Sequence, residues 1–431
     1  MSNLNKPKRK QTGFTLTEVL IAVVLTLILL GLMIRAFAIS SAQIAKGRAV
    51  LELAGQLRST SEMLRTDLKG VTVSLLPRNQ AGNASGYFEY IEGLASNRTI
   101  HTDKLGNNDT SMVYGDVDDI LMFTSSSLDL PYRGRWNGQI IESKYAEIIW
   151  WTVFEDENGN GQFNVGEDLK LYRRVLLIRP DLVTTSTNLG EFMQFNDVSV
   201  RQNPSGGIVA NTLSDLSDRA NRFARAGTNF PHEPNYALLQ GSLSYVLSDP
   251  TAGGSRNLNK GEDLILSGLS AFDVKAFDPV VRNRRSADGQ VGLSPGDIGY
   301  AMGDFSDVQY GSFVDLNVDN NLGVSSGGVF TAPPGFPTPD NNAIVWTNAV
   351  FCTWSSIYES DGLDQDGDGL VDEGINGVDD NGADGPDDVN ELETRPPYPY
   401  PLRGIQVTFR LVEPTTQILR QTSVVHNFVP E

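Results

Sequence analysis

The chain has 431 residues, with 53 Asp and Glu against 34 Lys and Arg, a formal net charge of −19. That length can bury a sizeable core without staples, and the acid excess argues against nucleic acid as a partner, since no basic surface would match the phosphates. A single cysteine, Cys352, excludes a disulfide framework and a cysteine-rich zinc site, and His101, His232 and His426 are far apart in sequence.

Residues 1–13 carry Lys6, Lys8, Arg9 and Lys10 and no acid. Residues 19–34 are apolar apart from Thr26 and Gly31; Arg35 interrupts and residues 36–39 resume the pattern. Sixteen to twenty apolar residues in a helix rise about 24–30 Å, enough to span or nearly span a bilayer core. The basic leader is expected to stay cytoplasmic. A secretory signal has its small-residue cleavage site after the apolar stretch, whereas Gly13 comes before it. Glu18 sits at the start of the apolar run, where a charge is costly unless paired.

The run Lys8-Arg9-Lys10-Gln11-Thr12-Gly13-Phe14-Thr15-Leu16-Thr17-Glu18 resembles the type IV prepilin signal. The resemblance implies cleavage after Gly13 by a prepilin peptidase, N-methylation of Phe14, and pairing of Glu18 with the terminal amine of a neighbouring pilin or pseudopilin during assembly. It also implies a bacterial inner-membrane location, with a single pass and a periplasmic head. Major pilins carry a helix-kinking proline about twenty residues into the mature chain, where this sequence has Arg35. Residues 48–53 and 63–68 look like the minor pseudopilins of the J type and the related PilW-like minor pilins.

Beyond the apolar stretch, Val50, Leu53, Leu57, Leu64 and Leu68 form one stripe among charged residues, the pattern of an amphipathic helix. No proline occurs between residues 14 and 76, and Gly70 is placed to cap the helix. A continuous helix over 14–69 would be roughly 84 Å long; the alternative is two helices broken near Gly47. The remaining chain reads as strands at 120–124, 146–154, 169–178, 264–277, 404–412 and 421–429. Trp150 and Trp151 read as core or sheet-face residues. Residues 180–260 and 280–345 are rich in Gly, Ser, Asn and Pro and read as insertions, forming either extra short strands or loops that contact a partner.

Two acidic segments carry the chemical signal. Residues 156–167 match the twelve-residue calcium loop, with ligands Asp156, Asn158, Asn160, the Gln162 carbonyl, Asn164 and bidentate Glu167, and with Gly161 at the sharp turn. The flanks read as strands, so the loop would close a hairpin. Residues 361–391 hold ten Asp and two Glu and no Lys or Arg. Asp364, Asp366, Asp368 and Asp372 follow the first half of a calcium loop, with Asp372 or Glu373 replacing the missing twelfth-position Glu. Asp380, Asp384, Asp388 and Glu391 fall in a degenerate second copy. Carboxylates at this density repel strongly without a counter-ion, which favours Ca²⁺ over a solvated acidic linker. Magnesium fits less well, because it keeps several waters.

No P-loop, dinucleotide fingerprint, nucleophile elbow or H-E-x-x-H occurs, and no enzyme activity is expected. The expected fold class is α+β: a leader at 1–13, a pilin helix at 14–70 with its transmembrane part at 14–39, and a β-rich globular head at 71–431 carrying calcium-type loops as insertions. The expected function is that of a minor pilin or pseudopilin of a type IV pilus or type II secretion pseudopilus. The alternative is a calcium-dependent pilus-tip adhesin or surface-binding module.

Overall fold

The fold is taken from a computed structural model that describes residues 15–73, 75, 85–92, 102–103, 105–108, 113–154, 157, 163–184, 192, 195–203, 205–217, 221–223, 263–285, 291–293, 304–315, 350–353, 382, 385, 402–413 and 418–428. Helix α1 spans Leu16–Lys69. It runs through Gly47 without a break, because nothing in this stretch removes a backbone donor. Residues 1–54 form one compact unit and residues 55–431 a second, so the last turns of α1 belong with the head.

Gly70 follows the helix for a reason the sequence did not suggest. Its φ is not positive; instead a Cβ here would lie 2.2 Å from the Ser126 carbonyl oxygen. The Ser126 N–H donates to the Gly70 carbonyl at 2.7 Å and the Thr72 N–H to the Thr124 carbonyl at 3.1 Å, so the chain leaves α1 pressed against a strand.

The strands follow in chain order: β1 Phe88–Ile91, β2 Ile120–Ser126, β3 Tyr132–Trp136, β4 Gln139–Ser143, β5 Tyr145–Phe154 and β6 Leu169–Leu177. Next come β7 Val200–Gln202, β8 Ile208–Ala210, β9 Asp263–Leu266, β10 Leu269–Arg285 and β11 Val291–Leu293. The last are β12 Asp304–Val314, β13 Val350–Cys352, β14 Gly404–Val412 and β15 Leu419–Asn427. A six-stranded antiparallel sheet has the order β13-β1-β2-β5-β6-β9. A second sheet has the order β11-β10-β14-β15, with β12 also paired to β10. The hairpins β3-β4 and β7-β8 stand apart. In β3-β4 the turn is Asn137-Gly138 with φ of 47° and 77°, the two-residue hairpin connection whose twist matches the strands.

The stretch 264–277, expected to be one strand, is two. Gly268, at φ +68°, redirects the chain so that β9 joins the first sheet and β10 the second. Part of the stretch 280–345 takes the first of its two expected forms, added strands: β10 continues to Arg285, and β12 pairs with it through Phe277↔Phe313 and Arg282↔Tyr310.

Strand β5 is buried almost end to end, so both of its faces are covered. On one face Trp150 lies 6.3 Å from Phe409 of β14, which in turn stacks on Phe272 of β10 at 5.7 Å. On the other face Glu147 accepts from Tyr87 Oη at 2.8 Å, Ser199 Oγ at 2.6 Å and the Phe223 N–H at 2.9 Å. Ser199 and Phe223 belong to the stretch read as an insertion at 180–260; its described part is therefore a cover for the first sheet. Arg222 fixes that cover. It donates to Glu89 of β1 at 2.5 Å and to the Leu216 and Ser217 carbonyls at 3.0 Å each, and its guanidinium lies 4.0 Å from the Tyr87 ring centroid. Both members of the ion pair are 1% exposed. Arg222→Met would remove the guanidinium from a fully buried ion pair with Glu89, and a loss of about 3–5 kcal/mol is expected in thermal unfolding. A loss below about 1 kcal/mol would show that the pair does not hold the cover.

Candidate functional site

The N-terminal end of α1 is built from a short local code. Thr15-Leu16-Thr17-Glu18 is a T-x-x-E capping box. The Thr15 N–H and hydroxyl both donate to Glu18 Oε2 at 2.8 Å, and the Glu18 N–H donates to Thr15 Oγ1 at 3.3 Å. Glu18 thus closes the first turn of its own helix. Behind it the apolar side chains are solvent-facing in the isolated chain, as with Leu20, Leu27 and Met33 at 61–63% exposure. This helix is long and apolar enough to cross a membrane. Thr26 does not break the apolar surface, because its hydroxyl turns back on the Ala22 carbonyl at 2.8 Å and the Val23 carbonyl at 2.9 Å.

The head end of α1 is fixed by Asp67. Arg173 of β6 donates to it through Nε and Nη2 at 2.7 Å each, and Trp150 Nε1 of β5 donates at 3.1 Å. Ser125 Oγ of β2 donates to the Asp67 carbonyl at 2.8 Å. Leu57, Leu64 and Leu68 are buried around it. The part of the apolar stripe in the head unit, Leu57, Leu64 and Leu68, is buried, and one aspartate ties this end of α1 to three strands of the first sheet.

The loop at 156–167 does join two paired strands, with Phe154↔Leu169 as its closing pair. Glu167 is 3% exposed and accepts from the Asn164 N–H at 2.8 Å and the Glu157 N–H at 3.1 Å. Asn164 donates to Thr102 Oγ1 at 3.1 Å, and Phe163 points inward, 5.3 Å from Tyr114 and 5.9 Å from Phe154. Asp156, Asn158, Asn160 and Gln162 lie outside the described residues, as do Gly13 and Phe14. So do Asp364, Asp366, Asp368, Asp372, Glu373, Asp380, Asp384, Asp388 and Glu391.

A second acidic site joins the two sheets. Glu92 follows β1, Asp116 and Asp119 precede β2, Asp273 lies on β10 and Asp315 follows β12. Carboxylate oxygens of Glu92, Asp116 and Asp315 lie within 4.8 Å of one another, as do those of Asp116, Asp119 and Asp273. Backbone bonds hold the pieces in place: Phe272 N–H to the Asp116 carbonyl at 2.8 Å and Gly115 N–H to the Ser270 carbonyl at 2.9 Å. Asp119 Oδ2 accepts from the Val274 N–H at 2.6 Å, and the Tyr90 hydroxyl lies against Glu92. Lys275 bonds to Asp315 and lies 3.3 Å from Asp273. Burial pushes the carboxyls of Glu92, Asp116 and Asp119 well above the usual carboxylate range, and repulsion from neighbouring carboxylates of the same cluster adds to it. Burial opposes the charge on Lys275, but Asp315 and Asp273 outweigh it and raise that ammonium.

The family model for the prokaryotic N-terminal methylation motif matches residues 8–34. The chain is type IV pilin-like. No curated protein and no solved structure matches it.

In this pilin-like chain the motif, the capping box and the apolar helix are one continuous stretch, and they fit membrane anchoring and assembly with other pilins. The β-rich head of antiparallel sheets also agrees with the sequence reading. What sequence reasoning missed is the five-carboxylate site. Its members come from five places between residues 92 and 315, so no spacing motif marks them. The available signal was local: Glu92, Asp119 and Asp315 each directly abut an apolar strand residue, at Ile91, Ile120 and Val314.

Proposed function

We propose that the protein is a minor pilin or pseudopilin, cleaved after Gly13 and N-methylated at Phe14, that primes or caps a type IV pilus or a type II secretion pseudopilus. The observation that carries this reading is the methylation motif at 8–34 running directly into an unbroken apolar helix. A minor rather than a bulk role is supported by Arg35, which stands where a helix-kinking proline is expected in a major pilin. In lipid, Glu18 would exchange its Thr15 donors for the ammonium of a neighbouring subunit, and that pair would set the stagger between helices. The head is proposed to lie on the periplasmic side and to bind Ca²⁺ at the 156–167 and 361–391 loops.

Mass spectrometry of the mature chain tests the central claim. The expected species begins at Phe14 and carries one added methyl group. An intact Met1, or an N-terminus elsewhere than Phe14, would overturn the reading.

A further inference from the structure

Asp116 is the residue that cannot be explained by the fold alone. Its side chain is fully buried, and among the described residues neither carboxylate oxygen has a hydrogen-bond partner. An unpaired buried carboxylate costs several kcal/mol after relaxation, and a native core leaves few such groups. Asp116 nevertheless belongs to both carboxylate triads, with Glu92 and Asp315 in one and Asp119 and Asp273 in the other. Lys275 contacts Asp315 and Asp273, at the far members of the two triads.

We propose that the head holds a buried calcium centre between its two sheets, with Asp116 as the shared ligand of Glu92, Asp315, Asp119 and Asp273. The donor set is all oxygen, which suits a hard cation and not zinc or copper. The spacing suits calcium. Oxygens on opposite sides of Ca²⁺ are separated by about 4.6–5.2 Å, twice the Ca–O distance, and each triad lies within 4.8 Å. Magnesium prefers to retain waters, whereas these carboxylates are each no more than 6% exposed. Five carboxylates against the Lys275 ammonium leave four negative charges among these six residues, which one Ca²⁺ halves and two cancel. The elements joined are otherwise distant in sequence: the ends of β1 and β12, the approach to β2, and β10. The ion would therefore lock the first sheet to the second.

This centre is distinct from the loops at 156–167 and 361–391, and the test separates them. The detergent-solubilised full chain is stripped with chelator, reloaded with Ca²⁺ alone, and its metal content and melting temperature are measured. Asp116→Asn is expected to lose one or two bound Ca²⁺ relative to the native chain, or to weaken that binding by at least about tenfold, the scale on which ligand charge tunes calcium sites. It is also expected to reverse sign. In chelator it should melt at or above the native temperature, because a repelling charge has gone; in Ca²⁺ it should melt below it. A purely structural Asp116 would lower melting equally in both conditions, and that result, or unchanged calcium content, overturns the proposal. Asp119→Asn keeps an acceptor for the Val274 N–H and provides a second variant with the same expected reversal. Asp156→Asn and Asp366→Asn, which report on the loops, are expected to leave the Asp116-dependent ions in place.

Discussion

Replacing Asp67 with alanine is expected to destabilise the head by about 3–5 kcal/mol, the usual result of removing one partner from a buried ion pair. The carboxylate is 2% exposed and receives three side-chain donors, two from Arg173 and one from Trp150. Without it the guanidinium, 12% exposed, and the indole N–H both lose this shared acceptor. Asp67→Asn keeps one acceptor oxygen and should lose less. The double replacement Asp67→Leu with Arg173→Met should recover most of the loss, since apolar groups of similar volume often replace a buried pair at little cost. Thermal unfolding of the full chain in detergent measures all three. If the double variant is no more stable than Asp67→Ala, packing rather than charge compensation governs this position.

The second large effect is expected at Glu18. On the proposed function, both Glu18→Ala and Glu18→Gln should reduce incorporation into an assembled filament by about 100-fold or more, because an ammonium left unpaired at membrane depth costs roughly 2.5–3.5 kcal/mol. The pair of variants separates two roles. Glutamine preserves the capping box with Thr15 and removes only the charge, whereas alanine also removes the side-chain acceptor of the Thr15 N–H and hydroxyl. Filament incorporation scored by immunoblot of sheared surface fractions reads the result. Native-like incorporation of Glu18→Gln would mean that the cap, not the charge, is what assembly needs.

Local signals accounted for much of the fold, and only the local ones. The helix was legible because a proline-free run with a leucine stripe allows little else, β5 because β-branched and aromatic residues crowd 146–154, and β6 as the partner strand read at 169–178. The hairpin β3-β4 carries a plain Asn-Gly turn, yet its strands are polar and half exposed, so hydrophobic alternation did not mark it. At Gly268 a single glycine splits one apolar run between two sheets, a tertiary decision that periodicity cannot register. The calcium-type pattern at 156–167 was visible because one short segment contains all its ligand types. The five-carboxylate site was not, because its members lie on strands and strand ends of two different sheets and meet only where those sheets come together.

The place of β13 has a consequence for how the head is made. β1 is flanked by β2, which follows within about thirty residues, and by β13, whose Val350 pairs with Ile91. The Phe88 N–H likewise donates to Thr353 Oγ1, 265 residues away. At a synthesis rate of about 5–20 residues per second, β13 emerges roughly 13–50 s after β1. Throughout that interval one edge of the first sheet has no strand to pair with, and such edges are templates for association with other chains. The order of strands thus sets a clock on biogenesis: this edge of the first sheet stays open until residues 350–352 have been made.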